Sequence, residues 1–230
     1  MIDIIATIGP SSWNYRILNL MHKEGMTIGR INTKYASKKE CLEVSDKLRN
    51  VGCKVLIDIS GDKMLSFIKN LDFDYLAVSF TESEEQIRRI RSFFKPRKIF
   101  FLSKIESKKG IENIHKIIKA SDGVLVARGD LGTHLPIEKV PLFQKLIIKK
   151  CNSLKKYVIT ATEMLLSMVV NKRPTRAEVS DVANAVLDGS NALMLSEETA
   201  IGKHPILAVK MMRKVIEEIE KDKILLRKGI

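Results

Sequence analysis

Eight short runs of Ile, Val, Leu, Phe and Thr, each followed by a stretch of helical pattern, constrain this chain more than any other feature. They cover residues 2–8, 27–32, 54–59, 75–80, 98–105, 123–127, 157–162 and 192–196. Near-continuous apolar runs of this length read as strands covered on both faces. The intervening helices carry start signals. Ser37-Lys-Lys-Glu40, Ser83-Glu-Glu-Gln86 and Thr175-Arg-Ala-Glu178 read as capping boxes. Gly25 and Gly52 stand where a helix ends and the next strand begins, a position that favours left-handed backbone. Strand starts about 20 to 35 residues apart predict a single (β/α)8 TIM barrel spanning residues 1–230. The alternative is a doubly wound open sheet, which usually carries a glycine-rich phosphate turn; no G-x-G-x-x-G occurs. No linker, low-complexity segment or solenoid repeat divides the chain.

Composition narrows the function classes. Apolar residues make up 45% of the 230, enough for a core. No apolar run approaches the roughly 18 residues of a membrane helix. The opening MIDIIATIGPSS carries an acid where a secretory leader has bases, so no leader is expected. Cys41, Cys53 and Cys151 lack pairing or CxxC spacing and read as reduced structural thiols, in keeping with a cytoplasmic protein. The formal charge is +13, from 40 Lys and Arg against 27 Asp and Glu. The lysines are scattered along helices with few interleaved aromatics. They read as a solvated surface, compatible with attraction of a small phosphorylated acid, and not as a nucleic-acid stripe.

In a (β/α)8 barrel the chemistry belongs at the carboxyl ends of the strands. Strand 2 ends Arg30-Ile-Asn32 and strand 5 ends Lys104-Ile-Glu106; strand 6 runs out through Arg128-Gly-Asp130. Strand 7 ends Thr160-Ala-Thr162, and strand 8 ends Ser196-Glu-Glu198. Strand side chains alternate faces, so each such pair is expected to point one way, into the mouth. Glu106 and Asp130 either neutralise Lys104 and Arg128 in a costly buried network or hold Mg²⁺ or Mn²⁺ as hard oxygen ligands. Lys104 suits a carbonyl or enolate oxygen, and the planar fork of Arg30 suits phosphate. The N–H groups of Gly129 and Asp130 are candidates for a carboxylate. The four histidines lack partner spacing, and His134 is expected to face solvent.

At these residues the chain resembles the pyruvate kinase family. The resemblance is close over 121–153 (SDGVLVARGDLGTHLPIEKVPLFQKLIIKKCNS) and 160–200 (TATEMLLSMVVNKRPTRAEVSDVANAVLDGSNALMLSEETA). Weaker echoes are ATIGPSS at 6–12, GRIN at 29–32 and SKIE at 103–106. The resemblance implies that Glu106 and Asp130 ligate the divalent metal. It gives Lys104 the enolate and Arg30 the transferring phosphate. Thr162 and the backbone of Ala127, Arg128, Gly129 and Asp130 would take the substrate carboxylate. Asn32 and Asp58 fall in the family's monovalent-cation site, and Pro10, with Asn32, in its nucleotide region.

Departures from the family are equally informative. A lid domain of the family follows strand 3, whereas here Asp58 reaches Tyr75 in one short connection. The family's C-terminal domain is likewise expected to be absent. Against the family's D-T-K-G-P-E-I-R, this chain reads DISGDKML over 58–65, placing Ile59 for a threonine and Leu65 for an arginine. Lys34 replaces a serine cation ligand and Lys63 a glutamate. The expectation is that an ammonium, Lys63 in preference to Lys34, replaces bound K⁺, so that K⁺ is not required. The implied reaction converts phosphoenolpyruvate and ADP to pyruvate and ATP. The alternatives are metal-dependent enolate chemistry on oxaloacetate or pyruvate without nucleotide, or a non-catalytic phosphoenolpyruvate-binding protein. Exposed Ile and Leu on the barrel helices point to self-association.

Overall fold

Strands that are apolar on both faces need cover on both, and this chain provides it by closing the sheet on itself inside a jacket of helices. The computed structural model describes residues 2–227, with side chains as far as Asp222. All eight strands are parallel, and β1 pairs with β8 to complete the ring. The first four are β1 (Asp3–Thr7), β2 (Ile28–Asn32), β3 (Lys54–Ile59) and β4 (Tyr75–Val78). They continue as β5 (Phe100–Ile105), β6 (Gly123–Ala127), β7 (Tyr157–Ala161) and β8 (Ala192–Leu195). Six helices lie before β6: α1 (Tyr15–Lys23), α2 (Lys38–Asn50), α3 (Leu65–Ile68), α4 (Glu84–Phe93), α5 (Lys108–Glu112) and α6 (Ile114–Ala120). Five follow: α7 (Arg128–His134), α8 (Val140–Ser153), α9 (Arg176–Asp188), α10 (Glu197–Ala200) and α11 (Pro205–Arg227).

The strand ends differ from the sequence pattern for local reasons. Phe80 (φ 46°) and Thr162 (φ 75°) adopt left-handed backbone, which stops β4 and β7 short of them. β5 begins at Phe100, where its ladder opposite Tyr75 begins. Ser37 and Thr175 form complete capping boxes. Ser83 forms half of one, because the Gln86 side chain accepts from Glu82 N–H instead. Gly25 (φ 120°) and Gly52 (φ 85°) supply the left-handed turns into β2 and β3.

Inside the barrel Ile5, Ile28, Leu56, Leu102, Leu125, Ile159 and Met194 pack into one apolar cluster, separate from the layer between strands and helices. Two residues further along four of these strands, on the same inward register, stand Thr7, Arg30, Asp58 and Lys104. The polar mouth is thus the top layer of the core. At the foot of the barrel, polar side chains instead close off strand starts. Asp74 accepts from Val55 N–H (2.7 Å), Asp122 from Phe101 N–H (2.8 Å) and Asn191 from Val158 N–H (2.8 Å). No helix among the described residues is long and apolar enough to cross a membrane. The three cysteines are free and buried.

Candidate active site

A chain of buried charges spans the mouth from β1 to β5. The Arg30 guanidinium donates from Nε and Nη2 to Asp58 Oδ2 (2.9 and 2.7 Å) and from Nη1 to Thr7 Oγ1 (2.8 Å). Lys104 Nζ lies 3.2 Å from the same Asp58 oxygen and 2.8 Å from Glu106 Oε1. Ser79 ties the chain together, accepting from Lys104 Nζ (3.0 Å) and donating to Asp58 Oδ1 (3.3 Å). Phe80 N–H donates to Glu106 Oε2. Arg30 is 7% exposed, Lys104 6%, and Asp58 and Glu106 1% each. Such burial is sustained only because every charge has a counter-charge and a hydrogen bond.

The electrostatics of the chain are not symmetric. Burial raises the Asp58 carboxyl, but Arg30 and Lys104 outweigh it and hold that group below its ordinary value. Burial lowers the Lys104 ammonium, and Asp58 and Glu106 more than offset this, so it stays protonated. At Glu106 burial raises the carboxyl further than Lys104 pulls it down. The Asp130 side chain, within hydrogen-bonding reach, adds to the rise. Glu106 is therefore a carboxylate short of positive charge, facing a second carboxylate at the exposed start of α7. Two hard oxygen donors in that relation fit a divalent cation of the Mg²⁺ or Mn²⁺ kind, with water and substrate oxygens completing its shell. Among the described residues no group of three or more His, Cys, Asp or Glu gathers for a metal. The protein's share of such a shell would be these two.

On the β6–β7 side the chain turns earlier than its i,i+2 pattern implies. β6 ends at Ala127 and helix α7 opens at Arg128, so Arg128 and Asp130 do not share a face. The Arg128 side chain leaves the mouth. Its Nε donates to the carbonyls of Ala161 (3.0 Å) and Thr162 (3.1 Å), and Nη2 to that of Thr162 (2.5 Å). Its Nη1 reaches Gln144 Oε1 (3.2 Å) and Asp181 (2.7 Å). The counter-charge to Arg128 is thus Asp181, not Asp130 or Glu106. Gly129 lies so close to Thr162 that a Cβ there would come within 2.7 Å of Thr162 Cγ2. Thr160 faces outward, hydrogen-bonded to Ser190 Oγ (2.8 Å), since Ile159 and Ala161 take the inward register.

The remaining candidates divide. Asn32 sits at the end of β2 opposite Asp58, its Oδ1 accepting from Lys34 N–H (3.1 Å). Pro10 is exposed on the turn after β1. Lys34 is exposed, with Nζ 5.5 Å from the Tyr35 ring, and Lys63 is exposed with no ion pair among the described residues. Neither ammonium is brought to Asp58. Ile59 and Leu65 are buried. Glu198 does not enter the mouth. It is buried and accepts from Leu165 N–H (2.9 Å) and Ser196 N–H (2.7 Å), pinning the β7 and β8 loops together. His134 is exposed, edge-on to Phe80 at 5.8 Å between centroids.

Three residues escaped the sequence reading. Thr7 and Ser79 follow the same two-residue step from interior positions Ile5 and Ala77, so extending that step to strands 1 and 4 finds them. Phe80 enters through its backbone N–H, which no sequence pattern flags. A Cys–His contact was also missed. Cys53 Sγ lies 3.3 Å from His22 Nδ1, but at the foot, where burial pushes the thiol up to about 12 and leaves it inert.

The family described as "Pyruvate kinase, barrel domain" matches residues 60–209. The pyruvate kinase of Clostridium acetobutylicum is 50% identical over 154 residues, 66% of this chain and 33% of that protein. That of Geobacillus stearothermophilus is 52% identical over 145 residues, covering 62% and 25%. That of Methanocaldococcus jannaschii is 46% identical over 162 residues, covering 70% and 36%. The chain spans about a third of the length of most curated relatives it matches.

Proposed function

The chain belongs to the pyruvate kinase family, and from that premise we propose that its barrel mouth transfers a phosphoryl group from phosphoenolpyruvate to ADP. The observation that carries this reading is the buried Arg30–Asp58–Lys104–Glu106 chain ending against Asp130. Arg30 has N–H groups beyond those given to Asp58 and Thr7, and these take the phosphate. As its P–O bond breaks, charge collects on the enolate oxygen. Lys104 meets that charge from a fixed position, which costs no reorganisation during the step. Asp58 orients both cations. Thr162 and the backbone of residues 127–130 take the substrate carboxylate, and Pro10 and Asn32 border the nucleotide. Glu106 and Asp130 hold Mg²⁺ or Mn²⁺, which when bound neutralises phosphate and enolate oxygens. The enolate carbon then takes a proton from solvent water, giving pyruvate.

K⁺ is not required in this proposal. Ile59 offers no side-chain oxygen to a monovalent cation, and Arg30 and Lys104 already neutralise Asp58. A second reading, metal-dependent enolate chemistry on oxaloacetate without nucleotide, is favoured by one observation. The β3–β4 connection, residues 60–74, is a single 3₁₀ turn and α3, with Leu65 buried where the resemblance places a phosphate-binding arginine. Nothing in that connection closes over the nucleotide side of the mouth. The test is ATP formation from phosphoenolpyruvate and ADP with Mn²⁺, with and without K⁺. ATP at the level of a Lys104→Met control overturns the first reading, and loss of oxaloacetate without nucleotide replaces it by the second. Acceleration by K⁺ overturns K⁺ independence alone.

A further inference from the structure

Thr162 (φ 75°) and Glu163 (φ 54°) hold left-handed backbone in succession at the end of β7, although neither is glycine. For a β-branched residue this conformation is disfavoured and persists only where the surroundings over-determine it. Arg128 is what over-determines it. Its fork holds the carbonyls of Ala161 and Thr162 from one side, and Met164 Sδ lies 3.0 Å from Nη2. The other edge of the guanidinium is fixed in the helical jacket, by Gln144 on α8 and Asp181 on α9. Gly129, the next residue, admits the Thr162 side chain into the space a Cβ would fill.

We propose that Arg128 is a positioning residue, clamping the left-handed 161–164 turn so that Thr162 is presented to the mouth in one place. The clamp couples α8 and α9 to the substrate pocket without touching substrate. Lysine cannot substitute, because a single ammonium does not reach two carbonyls, an amide and a carboxylate in the plane of a fork. The inference rests on the reading that gives Thr162 to the substrate carboxylate, so its test needs one readout that does not depend on turnover.

The experiment compares the wild-type chain with Arg128→Lys, Asp181→Asn and Gly129→Ala, each with Mn²⁺. Amide hydrogen exchange of the segment 161–164 is expected to quicken in Arg128→Lys while β3 and β5 keep their protection. The KM for phosphoenolpyruvate is expected to rise about tenfold with that for ADP unchanged, as a small displacement of a contact group produces. Asp181→Asn, which removes only the anchor, moves both readouts the same way and about threefold in KM. Gly129→Ala pushes Thr162 from the opposite side and raises the same KM with Arg128 intact. Unchanged local exchange in Arg128→Lys overturns the clamp. Faster exchange with the KM for phosphoenolpyruvate unchanged, or with both KM values rising together, overturns the positioning role. A wild type that neither turns over nor is thermally stabilised by phosphoenolpyruvate overturns the function proposed above, and local exchange still decides the clamp.

Discussion

The mouth and the foot of this barrel both bury polar side chains, and they bury them for opposite purposes. At the foot, Asp74, Asp122 and Asn191 each accept from the N–H of a neighbouring strand's second residue. These side chains complete the backbone ladder, and any residue with a carbonyl or carboxylate oxygen at that reach does the same task. At the mouth, Arg30, Asp58 and Lys104 bond only to side chains, and Glu106, though it also accepts from Phe80 N–H beyond the end of β4, makes no bond to a strand ladder. An apolar layer of equal volume would close the barrel there as well or better. A polar group that the backbone needs is structural; one held mainly by other side chains requires another explanation, and the proposed function supplies one.

The strongest way to break this contrast is Lys104→Met. Under the proposed function ATP formation is expected to fall by about 10³-fold or more, since the fixed cation opposite the enolate is lost. Mn²⁺ binding, followed by water proton relaxation, should persist through Glu106 and Asp130. Activity within tenfold of wild type would make the buried chain structural after all. The counterpart at the foot is Asp122→Ala. It leaves Phe101 N–H buried without an acceptor and Arg91 without its carboxylate. It is expected to cost about 2 kcal/mol by urea unfolding, with kcat and KM unchanged. A smaller loss is expected for Tyr157→Phe, about 1 kcal/mol. Its hydroxyl donates to Asp3 (2.6 Å), which keeps the Thr27 hydroxyl as a second partner. A change in KM for either foot variant would sink the contrast.

Legibility followed the same division. The barrel was readable because continuous apolar runs at regular spacing have few ways to bury both faces, and β3 and β6 fall on their expected limits. Arg30 and Lys104 were readable because within a strand the two-residue step fixes the face, and Glu106, one residue past β5, still follows it. The step failed on strands 6, 7 and 8, for local reasons. Arg128 and Asp130 are on a helix, Thr160 lies one register off, and Glu198 belongs to α10. Left-handed backbone at Phe80 and Thr162 is imposed by tertiary contacts, and no local propensity announces it. The idea that the Lys63 or Lys34 ammonium replaces K⁺ came from resemblance alone, and the cations that meet Asp58 are the Arg30 guanidinium and the Lys104 ammonium.

Glu178 sharpens the contrast most finely, because it stands in the first turn of α9, after the β7 loop at the mouth, and yet behaves like a group of the foot. Its carboxylate accepts from the backbone N–H and hydroxyl of Ser167 (2.6 Å each). It also accepts from the N–H (2.7 Å) and hydroxyl (3.0 Å) of Thr175. Burial raises its carboxyl, but these donors outweigh burial and hold it below its ordinary 4.5. A depressed folded value means the unfolded chain binds the proton more tightly, so the contribution is complete above pH 4.5 and declines as the pH falls through the folded value. Glu178→Gln is therefore expected to lose about 0.5 kcal/mol at pH 7, allowing for solvent screening of a partly exposed group. The gap should narrow steadily in denaturant melts taken below pH 4.5, with ATP formation per folded molecule unaltered. A gap that widens in acid would reverse the sign argued here. A loss of turnover would mean that position along the barrel axis, not the identity of the donors, decides what a buried carboxylate is for.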